Sequence, residues 1–301
     1  GSGKMSFSGT GNATASAGKT PFSGAANAAG FASEVPMIPE DYKLLAPEVL
    51  DKIKPLTDDP DTTDPVQLSV RRYLSDQGIS LATAIGNRIG CLTHHCFGAE
   101  DEKKSAGSVY HCIAYVNYVN GQAVNAKYRS CDPSSSGYTK CWSQDSPTTP
   151  CPPYNIDCIN PLRINAEPID RLIITEGEKD RLTLMQCGFP YVISVASGCK
   201  TDIRKSHEAF AEWIAQAEEI VVCGDSDRPG RGLVKRLLKF YADQATLAEL
   251  PGRCKDISEV YARYGAETVR KIILGAKELG MEDVYAAEQH ADDIKRVMLG
   301  Q

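Results

Sequence analysis

The residues with the plainest chemistry are carboxylates at the ends of two short apolar runs. Glu176 closes the run in Arg171-Leu-Ile-Ile-Thr-Glu176-Gly-Glu-Lys-Asp180, and Asp225 and Asp227 close Val221-Val-Cys-Gly-Asp225-Ser-Asp227. In an open α/β sheet, residues just past the carboxyl ends of parallel strands converge on one crevice, so acids far apart in sequence meet there. Three carboxylates at one place repel one another unless a cation joins them. A hard divalent ion with oxygen ligands fits, and Mg²⁺ (or Mn²⁺) held by Glu176, Asp225 and Asp227 keeps waters for a phosphate-bearing substrate. The expectation is a phosphoryl-transfer site. Taken singly, each acid has a plainer explanation, because an acid after a strand often only caps the next helix. An Asp-x-Asp also serves aspartyl phosphatases, but as the nucleophile of the first strand, whereas here it follows the Glu by two strand-helix units. The ordered combination carries the reading.

The elements that must position these acids read as alternating strands and helices from about 170 to 279. Leu182, Leu184 and Met185 face a sheet from the helix after Glu176, which stops at Gly188-Phe-Pro190. A strand over 191–196, a helix carrying Phe210, Trp213 and Ile214, and a strand over 219–223 follow. Arg231, Lys235 and Lys239 then form an i, i+4 stripe that begins one turn from the carboxylates, and Gly230 is placed where a side chain would obstruct a phosphate. Beyond a strand over 246–250, Lys255-Asp256 opens a last helix pair, with Asp256 reading as its N-terminal cap.

A second cluster is basic. Residues 109–130 read as a hairpin turning at Asn120-Gly121, the favoured pair for a type I′ turn. A period of two puts Asn125, Lys127 and Arg129 on one face and Val124, Ala126 and Tyr128 on the other, with Lys140 following on a third strand beside Trp142. From Lys103 to Trp142 there are five Lys or Arg and one acid, Asp132, in a chain whose net charge is −6. Nucleic acid would therefore be held by this local surface rather than by overall attraction.

The acidic arrangement resembles the TOPRIM domain of bacterial-type primases, topoisomerases and some nucleases. More narrowly, Thr-Glu176-Gly-Glu-Lys-Asp180, Asp225-Ser-Asp227-Arg-Pro-Gly-Arg231 and Lys255-Asp256-Ile-Ser-Glu259 resemble the primase half of the phage-type primase-helicases and their Twinkle relatives, over roughly residues 68–278. Arg72-Tyr-Leu-Ser-Asp-Gln-Gly-Ile79 resembles the helix-turn that opens that core, and Asn160-Pro-Leu162 its entry into the TOPRIM module. The resemblance implies an α/β protein, α+β overall, with a parallel TOPRIM sheet preceded by a small antiparallel-β and helix subdomain. It implies Mg²⁺-dependent synthesis of short RNA primers on single-stranded DNA, with a replicative helicase in cis or in trans. It puts Asp256 at the metal site, although Ile257 replaces the family's small residue, and it gives Lys127, Arg129 and Lys140 the nucleotide triphosphate and template. Arg231 and Lys235 are candidates for the nucleic-acid backbone. The competing readings are a TOPRIM nuclease and an inactive single-stranded-DNA-binding module, since metazoan Twinkle relatives have lost priming.

Chain organisation completes the expectation. Residues 1–36, Gly-, Ala- and Ser-rich with no acid before Glu34, cannot build a core. The near P-loop Ala13-Thr-Ala-Ser-Ala-Gly-Lys-Thr20 there has neither the strand nor the helix such a loop needs. A connector spans 37–66, with one helix around 46–53. From Pro65 the pattern turns helical, with Val66, Val70, Tyr73 and Leu74 on one face and Gly78 as its stop, and the primase subdomain spans 67–169. The TOPRIM domain covers 170–279, and a tail or linker helix 280–301. Eleven cysteines, odd in number and without Cys-x-x-Cys pairs, indicate a reducing compartment and no zinc module of the kind phage primases carry. A structural zinc at Cys91, His94, His95 and Cys96 is the weaker reading of that cluster. No membrane span or signal peptide is expected, which suggests a cytoplasmic site in a bacterial or phage-infected cell, or an organelle matrix or stroma.

Overall fold

The computed structural model describes residues 42–96, 108–131, 142–147, 150–162, 168–242 and 244–276. The head, Lys140 and the tail lie outside the described residues. In chain order the elements are α1 (Pro47–Leu50), β1 (Lys54–Pro55), α2 (Pro65–Asp76), α3 (Leu81–Gly86), β2 (Gly90–Cys96), β3 (Ser108–Val119), β4 (Gln122–Ser130) and β5 (Trp142–Asp145). After these come β6 (Ile169–Thr175), α4 (Glu178–Gln186), β7 (Val192–Ser194), α5 (Ile203–His207), α6 (Ala211–Ile214), β8 (Ala217–Cys223), α7 (Arg228–Phe240), β9 (Ala245–Leu247) and α8 (Ile257–Leu274).

Two sheets result. The first is antiparallel in the order β1-β2-β3-β4-β5, and the second is parallel in the order β7-β6-β8-β9. Local chemistry accounts for several boundaries. Asp64 accepts hydrogen bonds from the Val66 and Gln67 N–H groups to start α2, and Val70, Tyr73 and Leu74 bury its inner face. Asn120 and Gly121 both take positive φ, 52° and 76°, as a type I′ turn requires. In α8, Gly265 at φ 76° breaks the helix, so the segment is a pair of helices in line with the expectation. The expected helix through Phe210 is instead interrupted, with α5 and α6 joined by a 3-10 turn over Glu208–Phe210.

One face assignment is corrected. The register passes from Asn117 opposite Asn125 to Tyr118 opposite Ala123, a bulge in the hairpin. Ala123 therefore joins Ala126 and Tyr128 in a core against Leu45 and Leu92. Val124 turns to the opposite side and packs with Ile156, Ile159 and the parallel-sheet residues Ile174 and Val222. The two sheets thus share a hydrophobic core. Among the described residues no helix is long and apolar enough to cross a membrane.

Candidate active site

The parallel sheet sets the acids. Thr175 of β6 is in register with Cys223 of β8, so Glu176 and Asp225 emerge side by side, one and two residues past their strands. Each neighbouring acid then sits at a helix start. Asp227 caps α7 by accepting from the Gly230 N–H at 2.9 Å, and Asp256 caps α8 by accepting from the Glu259 N–H at 2.8 Å. Glu259 returns a bond by accepting from the Lys255 N–H at 3.0 Å. The Ser226 N–H donates to the Lys255 carbonyl at 2.7 Å, and the Ser226 hydroxyl donates to the Cys254 carbonyl at 2.9 Å. These bonds lock the Asp-x-Asp loop to the loop that carries Asp256. Gly230 serves the same loop. A Cβ on it would stand 2.4 Å from the Asp225 carbonyl oxygen and 2.5 Å from the Asp225 Cβ, so the close approach it permits is to Asp225.

A cleft of about 440 Å³ opens between the sheets, lined by Glu176, Glu178, Asp180, Asp225, Asp256, Lys179 and Lys255 on one wall and by Tyr73, Tyr115, Lys127 and Arg129 on the other. Asp227 stands at the rim, its side chain 42% exposed. Lys127 and Arg129 leave β4 on the face expected for them, and Lys127 Nζ meets Glu178 Oε1 at 2.8 Å with both side chains largely buried. α4 is braced against α3 as well, since Arg181 Nη2 donates to Asn87 Oδ1 at 2.6 Å and Gln186 Oε1 accepts from the Ser80 N–H at 2.7 Å. Lys179 pairs with Asp256 Oδ2 at 3.1 Å. Lys255 Nζ lies 3.1 Å from Asp225 Oδ2 and 3.5 Å from Asp227 Oδ2.

Crowding of these carboxyls shows in their acidity. Burial, with the charge of Asp227 added, pushes Glu176 up from the ordinary glutamate value. Burial and the Glu176 charge push Asp225 up to about 6, while Lys255 acts in the other direction. Asp180, buried and bonded to the Ser258 hydroxyl at 2.6 Å, is pushed up to about 7 by burial and by the charge of Asp256. Burial works against the charge on Lys255, but the bonds and attraction from Asp225 and Asp227 outweigh it and raise that group.

The donor set suits a hard divalent cation. Glu176, Asp225, Asp227 and Asp256 offer carboxylate oxygens, and Glu176 Oε2 is buried with no hydrogen-bond partner, an acceptor left for something outside the protein. Among the described residues, however, no three His, Cys, Asp or Glu groups are arranged as a ready metal site. Lys255 stands between Asp225 and Asp227. Arg231 and Lys235 lie on α7 outside the cleft lining, with the Arg231 guanidinium donating to the Ser226 carbonyl of the Asp-x-Asp loop.

The cysteine-histidine cluster does not converge, which corrects the zinc alternative at Cys91, His94, His95 and Cys96. All four lie on β2, whose side chains alternate between faces. Cys91 packs with Val70 and Tyr73, Cys96 packs with Leu92 and Tyr128, and the His94 ring lies 4.2 Å from that of Tyr128. Sequence reasoning passed over Glu178, Lys179, Asp180 and Lys255 as site residues. The alternating charges of Glu178-Lys179-Asp180 directly after Glu176 were a signal that could have found three of them.

A parallel sheet with acids past its strand ends faces, across the cleft, an antiparallel strand that carries Lys127 and Arg129. Residues 173–261 match the Toprim-like family. A primase homolog protein of Arabidopsis thaliana is 27% identical over 184 residues, covering 55% of this chain and 50% of that protein. The chloroplastic/mitochondrial Twinkle homolog protein of the same plant is 24% identical over 202 residues, covering 60% of this chain and 26% of that protein. The chain thus spans half the length of the first relative and about a quarter of the second. In fold, the primase fragment of the bacteriophage T7 primase-helicase protein superposes with a TM-score of 0.50 at 22% identity, covering 66% of this chain and 72% of that one. The chain is related to the phage-type and Twinkle-like primases.

Proposed function

We propose that this chain is a nucleotidyltransferase of primase type that makes short RNA primers on single-stranded DNA. The observation that carries the reading is the facing of Lys127 and Arg129 against Glu176, Asp225 and Asp256 across one cleft. A nuclease would use the carboxylates but has no need of an opposing cationic wall for a triphosphate. Glu176, Asp225, Asp227 and Asp256 would hold Mg²⁺ or Mn²⁺, which when bound activates the attacking 3′-hydroxyl and offsets charge on the leaving pyrophosphate. Lys127 and Arg129 present fixed positive charge to the triphosphate, and Lys140, which lies outside the described residues, would share that role as the resemblance implies. The buried Tyr73 and Tyr115 lie beside these cations in the same wall and keep water from it, which strengthens each charged contact. Arg231 and Lys235, on α7 outside the cleft lining, would meet the template backbone, and a replicative helicase is the proposed partner.

Incubation with single-stranded DNA, labelled ATP or GTP and Mg²⁺ or Mn²⁺ tests the proposal. Metal-dependent extension into short labelled oligomers is expected. Cleavage of the DNA would move the chain to the nuclease class, and retention without either reaction would make it a binding module.

A further inference from the structure

Lys255 stands where a cation is wanted. Its ammonium bridges Asp225 Oδ2 at 3.1 Å and Asp227 Oδ2 at 3.5 Å, beside Glu176, whose buried Oε2 has no partner. Its main chain is fixed at both polar groups, the carbonyl by the Ser226 N–H at 2.7 Å and the N–H by Glu259 at 3.0 Å. Its side chain is 52% exposed, against 13% for Asp225. A residue with an anchored backbone and a half-solvated ammonium can swing without disturbing the loop. Lys179, the other lysine among the lining residues of that wall, is bound to Asp256 at 3.1 Å and is only 28% exposed.

We propose that Lys255 is a displaceable counter-ion, which holds Asp225 and Asp227 together in the metal-free cleft and leaves them when a divalent cation enters. This rests on the reading of the cleft as a metal-dependent site. One ammonium offsets only part of the charge of three carboxyls, and a divalent ion bound to the same oxygens repels it. The freed ammonium remains in the cleft, where the anionic oxygens of a triphosphate are its natural partners. Metal entry and nucleotide capture are thereby coupled through one side chain, with Lys255 acting as a positioning residue.

The test measures Mn²⁺ and Mg²⁺ binding to the full chain by titration calorimetry without nucleotide, in wild type, Lys255→Met, Lys255→Arg and Lys179→Met. Removal of the competing ammonium should tighten metal binding in Lys255→Met by ~10-fold, the effect of losing one partly exposed ion pair with two acceptors. Lys255→Arg should keep wild-type affinity, and Lys179→Met should change it less than Lys255→Met does. Mere structural damage would weaken binding, so tightening is diagnostic. If wild type binds metal and folded Lys255→Met binds it equally or more weakly, the counter-ion role is wrong while the metal reading stands. If wild type binds neither ion, the metal reading itself fails and takes the counter-ion with it. Should Lys255→Met not fold, Lys255→Gln replaces it under the same criteria.

Discussion

The acidic and basic walls of the cleft reach the same space by different routes. The acids come from loops at the ends of β6 and β8 and at the starts of α7 and α8, where a parallel topology gathers residues from distant parts of the chain. Their backbone is held by caps and loop-to-loop bonds, and burial, with the charge of neighbouring carboxylates added, pushes Asp225 and Asp180 up to about 6 and 7. Lys127 and Arg129 come from a strand paired on both sides, in register with Ile113, Tyr115, Gln144 and Trp142. That wall is rigid by pairing and by burial. Substitutions in the first wall should therefore alter chemistry with little loss of fold, whereas substitutions in the second should alter both.

The largest effect tests the first half of this contrast. Asp225→Asn keeps size and hydrogen bonding but removes the charge that metal and Lys255 both use. Primer synthesis should fall by at least ~10²-fold while retention of single-stranded DNA on filters stays near wild type, as for an interaction that matters at the reacting phosphate. Wild-type incorporation across a Mg²⁺ titration would remove Asp225 from the site.

Lys127→Ala tests the second half. It leaves Glu178 charged and unpaired in a nearly closed setting, which costs about 3–5 kcal/mol and lowers the melting temperature by roughly 10 °C in a domain of this size. Adding Glu178→Gln should restore much of that loss. The apparent KM for nucleotide should stay raised in the double variant, because the triphosphate partner is still missing. A double variant with wild-type KM would show that Lys127 belongs to the fold and not to substrate.

The same contrast explains what could be read before any coordinates. Glu176, Asp225 and Asp227 were legible because the strand-helix order alone fixes where parallel strands end. The turn at Asn120-Gly121 was legible because few residue pairs accept two positive φ values in succession. The side taken by Val124 was not, since the bulge that reverses it depends on the pairing of β3 with β4 rather than on local alternation. Gly230 read as a phosphate contact, whereas its neighbour is the Asp225 main chain. The partners of Lys255 lie about thirty residues away on another loop, brought together by Ser226, and Asp256 proved to be both cap and cleft residue.

A smaller effect concerns pH. With Asp180 at about 7 when folded against 3.8 as its ordinary value, the folded state binds more protons between those values. The contribution of Asp180 to stability is therefore fully present at low pH and is lost as pH rises from about 4 through 7 in the metal-free protein. Asp180→Asn, still able to accept from Ser258, should flatten the decline and melt several degrees higher than wild type at pH 7.5. Asp225 and Glu176 shift in the same direction, so part of the slope should remain. Equal slopes for the two proteins would mean that Asp180 stays ionised at neutral pH.

The smallest effect lies outside both walls. α7 carries Arg228, Arg231, Lys235, Arg236 and Lys239 with no acid within the helix. Arg231 and Arg236 direct their guanidinium groups to main-chain carbonyls, of Ser226 for the first and of Gly232 and Cys199 for the second. Hydrogen bonds to neutral carbonyls leave the charge of each arginine uncancelled, so it remains available to a phosphodiester. If Arg231 and Lys235 meet the template backbone, Arg231→Ala and Lys235→Ala should each weaken single-stranded DNA binding modestly, and equally for all sequences. Each should also reduce the slope of log affinity against log salt by about 0.7, the value for one lost contact to a single strand. Titrations at several salt concentrations measure that slope directly. An affinity that drops with the slope unchanged would point to loosening of the Asp-x-Asp loop through the Ser226 carbonyl, and Arg231 would then belong with the acidic wall as a support for Asp225.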